Sequence, residues 1–328
     1  MKQVLLRALV APVMVFAAAH SGALSAAQYP ERPLRMIVPF APGGASDFVG
    51  RIFQPKLAEE LKQSIVIENR TGASGYVGVE VAAQSPADGY TLLLGNIGTM
   101  AINASVFPKF KVKPLEAFTG ITQVVDVPGM VAVHPSLPVK SIKELIAFAK
   151  AHSGQLNFSA SGAGSNSRLA FEYFMQQAGM KITMVAYKGG AGGASLGAAT
   201  GEVEVTMLTS SSILPYVHNG KLRLIGVVAP KRLSAAPDVP TMAEAGFPDL
   251  VVGSWQGLYV PKSTPRAIVD RLFPAIVKSM KDPEVVKRLA TASAAAVTSA
   301  SPEAFHKFWV SEHNRWAKVV QDIGAVAH

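Results

Sequence analysis

Leu34-Arg35-Met36-Ile37-Val38-Pro39-Phe40-Ala41-Pro42-Gly43-Gly44-Ala45-Ser46-Asp47, followed by Phe48, Ile52, Leu57 and Leu61 at helical spacing, is the stretch that sets the fold. The apolar run reads as a strand, the Pro/Gly/Ser segment as a tight turn, and the spacing after it as a helix with one buried face. The same order returns at 158–168 and, less cleanly, at 187–197. Strands alternating with helices indicate an α/β protein. A turn of this kind leaves backbone N–H groups unbonded at a helix N-terminus, where the helix dipole adds positive potential, and such ends bind anions. In open α/β sheets ligands lie beyond the carboxyl ends of the strands. A single glycine turn need only reverse the chain; three of one design predict a donor-lined, anion-binding cleft.

Outward from that stretch, further strands are expected at 64–68, 90–94, 129–133, 156–159, 182–187, 203–208 and 222–228, and helices at 77–83, 142–151 and 168–178. Ser141 with Glu144 three residues on forms a capping box. Thr264 and Asp282 precede Pro265 and Pro283 as helix caps. Ser301-Pro302-Glu303 opens a final helix, and Phe305, Phe308, Trp316, Val319 and Val320 on it are read as core.

Lys2 and Arg7 ahead of an apolar segment, then the small residues Ala23-Leu24-Ser25-Ala26-Ala27, read as a cleavable secretory signal over residues 1–27. The apolar segment is well short of the roughly 20 residues that span a bilayer. The chain is therefore expected in the periplasm. It has no Cys, which excludes disulfides, thiol catalysis and Cys-ligated metal. The net charge is +9, but no basic run exceeds Lys231-Arg232 and no aromatic–basic interleaving marks a nucleic-acid groove. Nucleic acid is not an expected partner, whereas mild steering of a small anion fits.

Signals for chemistry are weak. Gly193-Ala194-Ser195-Leu196-Gly197 matches the G-x-S-x-G pattern of serine hydrolases, so a hydrolase using Ser195 is the enzymatic alternative. A nucleophile elbow lies directly off a strand, however, and the strand here is expected to end near Tyr187. The histidines form no H-x-x-x-H or H-E-x-x-H pair, so no metal is expected. Gly162-x-Gly164 and Gly190-x-Gly192 are incomplete dinucleotide fingerprints, and no cofactor is expected.

Several segments in order carry a family resemblance: Val38-Pro39-Phe40-Ala41-Pro42-Gly43-Gly44, Glu68-Asn69-Arg70-Thr71-Gly72-Ala73, Ala87-Asp88-Gly89-Tyr90-Thr91-Leu92, Ala186-Tyr187-Lys188-Gly189-Gly190, Pro237-Asp238-Val239-Pro240-Thr241 and Ser254-Trp255-Gln256-Gly257-Leu258. The chain resembles the Bug receptors, the extracytoplasmic solute-binding proteins of tripartite tricarboxylate transporters. The resemblance implies an α/β Venus-flytrap fold of two lobes around a central cleft. Residues 28–125 plus 253–328 would form lobe 1 and 126–252 lobe 2, with crossings near 125 and 252. It implies a small carboxylate ligand, delivery to a two-component membrane permease, no catalysis and a monomer. A sensory role, presenting the ligand to a membrane sensor, is an alternative on the same fold.

Carried over residue by residue, the ligand-binding set is Phe40, Gly43, Gly44 and Asp47 in the first lobe and Ser161, Gly162, Ser165, Asn166 and Ser167 in the second, with Thr99, Tyr187 and Trp255 in support. Asp47 is expected to cap a helix beginning at Phe48 and organise the loop, since a bare carboxylate repels an anionic ligand. The chain departs from the family pattern at Leu208-Thr209, where many relatives carry Asp-Asn, an arrangement suited to an amino acid's ammonium group. Tyr76 and Met100 also replace more polar residues, and with Met207 they predict a more apolar pocket. The expected ligand is an aromatic or medium-chain mono- or dicarboxylate rather than an amino acid.

Overall fold

A computed structural model describes residues 29–162, 165–187, 190–250 and 253–326. The secretory signal at 1–27, residues 251 and 252 at the second crossing, and Gly164, Lys188 and Gly189 of the glycine turns lie outside the described residues.

Two sheets organise the chain. The first draws on β1 (Leu34–Val38), β2 (Ile65–Asn69), β3 (Thr91–Asn96), β4 (Phe118–Asp126), β10 (Gln256–Pro261) and β11 (Ala295–Ala296), in the order β11-β4-β10-β3-β1-β2. The second draws on β5 (Gly129–Val133), β6 (Asn157–Ala160), β7 (Thr183–Ala186), β8 (Val205–Thr209) and β9 (Arg223–Val228), in the order β7-β6-β8-β5-β9. β1 runs parallel to β2 and β3, and β6 parallel to β7 and β8, so each sheet has a set of carboxyl ends pointing one way. β10 is antiparallel to its neighbours β3 and β4, and β5 to β8 and β9. This is the expected two-lobe α/β architecture.

The helices are α1 (Ala45–Leu61), α2 (Tyr76–Ala83), α3 (Asn103–Val106), α4 (Pro114–Ala117), α5 (Ile142–Ala151), α6 (Asn166–Ala178), α7 (Gly190–Ala199), α8 (Ser210–His218), α9 (Arg266–Met280), α10 (Pro283–Ala290) and α11 (Pro302–Asp322), with a π-helical turn at Gly98–Ile102. Three expected caps form: Ser141 Oγ accepts from Glu144 N at 3.1 Å, Asp282 Oδ1 from Glu284 N at 2.9 Å, and Ser301 Oγ from Ala304 N at 3.1 Å. Two expectations need correction. α9 begins at Arg266 with Pro265, not Thr264, at the cap. α1 begins at Ala45 with Gly44 at the cap, so Asp47 lies in its first turn.

β4 and β10 carry no clear strand signal in the sequence, because β4 interrupts its apolar run with Gly120 and Gln123 and β10 opens on Gln256 and Gly257. Gly120 and Gly257 on them make the groove for Phe305: a Cβ at Gly120 would stand 2.9 Å from Phe305 Cδ1, and one at Gly257 would overlap its ring. The chain passes from β4 to β5 through Val127 and Pro128, and Ser254 N donates to Val127 O at 2.8 Å, tying the outgoing and returning segments together. α11 packs against both sheets. Trp309 Nε1 donates to Met100 O at 2.8 Å on the first, while Trp316 and Val320 share one apolar cluster with Phe171 and Phe174 of α6 on the second.

Candidate functional site

The first sheet presents the loop between β1 and α1. Asp47, buried at 2% exposure, holds it from inside. Its Oδ2 accepts from Gly43 N at 2.8 Å and Arg51 Nε at 2.9 Å, and its Oδ1 from Asn69 Nδ2 at 3.0 Å. The same amide donates to Phe40 O at 2.9 Å. Burial alone raises the Asp47 carboxyl, but hydrogen bonds from Arg51, Gly43 and Asn69 outweigh it and hold the group below the ordinary carboxylate range. Gly43 has φ +77°, a left-handed conformation that favours glycine. Asp47 therefore shapes the loop, as expected, although from the first turn of α1 rather than its cap. Thr99 adjoins this loop: a Cβ at Gly75 would stand 2.6 Å from Thr99 Cγ2 and 3.2 Å from Phe40 Cζ. The Thr99 hydroxyl is spent locally, accepting from Asn96 N at 3.0 Å.

The second sheet supplies the counterpart. β6 and β8 are parallel neighbours, so α6 and α8, which follow them, both start at the same edge of the sheet. Ser165 caps α6, its Oγ accepting from Arg168 N at 3.3 Å and donating to Gly162 O at 2.8 Å. Ser167 Oγ lies 3.1 Å from Ser161 Oγ and 3.2 Å from Ser165 Oγ. Gly162, with φ +132°, makes the turn. Thr209 is the cap residue of α8, and its hydroxyl lies 3.2 Å from those of Ser211 and Ser212. Between the two helix starts is a small solvent-connected concavity lined by Gly129, Asn166, Ser167, Ala170, Met207, Leu208, Thr209, Val228 and Ser254. No titratable side chain is among these residues.

The structure thus brings Asn166, Ser167, Leu208 and Thr209 into one lining, with Ser161, Gly162 and Ser165 behind the first two. Phe40, Gly43, Gly44, Asp47 and Thr99 form a separate group on the first sheet and do not line this concavity. Met207, expected to make the pocket more apolar, is part of the lining; Gly129, Ala170, Val228 and Ser254 complete it and are absent from the expected site. Met207 shares a face of β8 with Thr209, and Gly129 lies opposite Thr209 in the β5–β8 register.

Other expectations are corrected. Trp255 is 3% exposed, and its Nε1 donates to Glu312 Oε2 at 2.9 Å while its ring meets Phe308 edge-on, so the indole belongs to the packing of α11. Tyr187 packs over Gly193 and Gly197 of α7; burial, then the Glu202 carboxylate, pushes its hydroxyl up to about 12. Leu208 is part of the lining, and it also belongs to an apolar cluster with Met130, Ala194, Ala198 and Ile213. Tyr76 stacks on Phe110 at 3.9 Å and accepts from Lys111 N and Val112 N, and Met100 is core, so of the three apolar substitutions only Met207 reaches the lining. Ser195 sits within α7 at 2% exposure and donates to Gly192 O at 3.0 Å, which removes the hydrolase alternative: there is no strand-to-helix elbow and no free hydroxyl. Among the described residues no group of three or more His, Cys, Asp or Glu is placed to hold a metal, and no helix is long and apolar enough to cross a membrane.

The family model for the tripartite tricarboxylate transporter family receptor matches residues 49–325. Protein BugT of Bordetella pertussis is 35% identical over 314 residues, covering 95% of this chain and 96% of BugT. The solved structure of R. palustris Rpa4515 with adipate is 32% identical, covers 90% of this chain and 98% of that one, and superposes with a TM-score of 0.82. MatC (Rpa3494) from Rhodopseudomonas palustris with bound malate is 30% identical, covers 89% and 100%, and gives a TM-score of 0.79.

Proposed function

The chain belongs to the tripartite tricarboxylate transporter receptor family, whose members are periplasmic solute-binding receptors and not enzymes, and from that premise we propose that it captures a small carboxylate bearing a plain hydrocarbon body. The observation that carries this reading is the convergence of the α6 and α8 N-termini on a concavity whose remaining wall is apolar apart from Ser254. Backbone N–H groups and the hydroxyls of Ser167 and Thr209 replace water around the carboxylate, and both helix dipoles favour its charge. No acid lines the concavity to meet an ammonium group, which disfavours amino acids. Adipate in one structural relative and malate in another support the ligand class. The apolar wall leans toward adipate-like or aromatic acids over hydroxy acids, since a hydroxyl against it would lose its hydrogen bonds to water.

In this reading residues 28–125 with 253–328, and 126–252, move as two lobes about the crossings. The Phe40–Asp47 loop of the first lobe closes over a ligand already seated on the second. Closure is favoured by contacts made to both lobes at once. The mature protein, freed of residues 1–27, acts as a monomer and hands its ligand to a two-component membrane permease. Thermal shift of the mature protein against malate, adipate, suberate, benzoate, phthalate and glutamate tests the proposal, because a ligand that binds only the folded state raises the melting temperature. Shifts with adipate or benzoate and none with glutamate are expected; a shift with glutamate alone would refute it.

A further inference from the structure

We infer that Met207 is the side chain that sets which hydrocarbon the site accepts, working over a floor that Gly129 leaves open; the inference rests on the carboxylate-receptor reading. Side chains alternate across a strand, and β8 divides accordingly. Val205 and Met207 point to the face covered by α6, in one apolar cluster with Ala170, Phe171 and Phe174. Leu208 points to the opposite face, in a cluster with Met130, Ala194 and Ile213. Of the concavity's apolar lining residues, Ala170, Met207 and Val228 belong to the first cluster and Leu208 to the second. Leu208 is adjacent in sequence to Met207 but belongs to the cluster on the opposite face of β8.

The floor follows from register. Gly129 at the start of β5 lies opposite Thr209 of β8 on one side and Val228 of β9 on the other. It has the parity of Val131, which faces α6, so a side chain at 129 would stand between Thr209 and Val228 in the concavity. Gly129 itself lines the concavity and offers no side chain to it. In this inference a carboxylate held at Asn166, Ser167 and Thr209 lays its carbon chain across Gly129 and Val228, toward Met207 and Ala170. Met207 closes that path with an unbranched, deformable thioether, which fits chains of slightly different length better than a branched residue would.

Calorimetric titration of the mature protein with dicarboxylates from succinate to suberate, and with benzoate, tests the inference in wild type and four variants. Wild type sets the order of preference. Met207→Ala is expected to move the optimum to a longer or bulkier acid and to weaken the wild-type favourite by about ten-fold, the usual worth of lost contact with one or two methylene groups. Met207→Leu, which conserves volume, is expected to keep the fold and narrow the range of accepted lengths. Gly129→Ala is expected to weaken every acid by about ten-fold or more while the melting temperature stays near that of wild type. Met130→Ala, the control, truncates a fully buried side chain on the other face of the sheet and is expected to lower the melting temperature and leave the order unchanged. An unchanged order in both Met207 variants, or a changed order in Met130→Ala, overturns the inference while leaving the receptor reading intact. A wild-type protein that binds no acid overturns both.

Discussion

Asp47 is a buried carboxylate that organises the loop between β1 and α1. Both oxygens are engaged by Gly43, Arg51 and Asn69, so its charge is spent on the loop. Asp47→Asn places an NH₂ group among donors and is expected to destabilise the fold by about 1–3 kcal/mol, read by denaturant melts. The native carboxyl is held below its unfolded value, so its stabilising contribution is present above about pH 4 and is lost as pH falls through the native value. The variant should show a flatter acid limb than wild type. At α7, Gly197 lies directly under the Tyr187 hydroxyl, where a Cβ would overlap it. Gly197→Ala is expected to cost about 1–3 kcal/mol through overpacking, and to cost less when made in a Tyr187→Ala background, where the ring it would meet is gone. The G-x-S-x-G match is thus a record of how a tyrosine packs on a helix.

Elements with a clear local signal were the ones legible from residues alone. β1 matches its expected bounds because Pro39 and the glycines punctuate it. α5 and α10 match because Ser141 and Asp282 cap them. Asp282→Ala is expected to remove the two N–H bonds it accepts and lower stability by about 1 kcal/mol, measured by thermal melts. Full burial alone does not hide a strand, since β5 is buried throughout and is legible as a short apolar run; β4 interrupts its run with Gly120 and Gln123, β10 opens on Gln256 and Gly257, and the glycines and alanines of α7 give it no apolar stripe. The site divides along the same line. Ser165, Asn166, Ser167 and Thr209 sit in Gly/Ser-rich turns that advertise a helix start, so their placement was foreseeable. Gly129 and Val228 enter through strand register between segments far apart in sequence, which no local pattern encodes.

The crossing segments carry the behaviour of the whole molecule. Asp126, at the end of β4, lies against Gly253 and near Glu312 of α11. Burial first, and then the Glu312 carboxylate, raises its pKa. The native state therefore keeps a proton that the unfolded chain sheds above about pH 4, and stability falls as pH rises through the native value. Asp126→Asn is expected to melt at a higher temperature than wild type at neutral pH, with the difference vanishing at about pH 3. Binding should behave differently. No titratable group lines the concavity, so ligand affinity is expected to stay level between about pH 6 and pH 9, where the ligand remains ionised, as titration calorimetry across that range can check.

The most direct test is a crystal structure of the mature protein with the acid that gives the largest thermal shift. The expected result is a carboxylate within hydrogen-bond distance of donors at Asn166, Ser167 and Thr209, with its carbon chain over Gly129 and against Met207. A ligand held elsewhere, or a carboxylate paired instead with a lysine or arginine side chain, would contradict the central claim that two helix N-termini on the second sheet form the anion site.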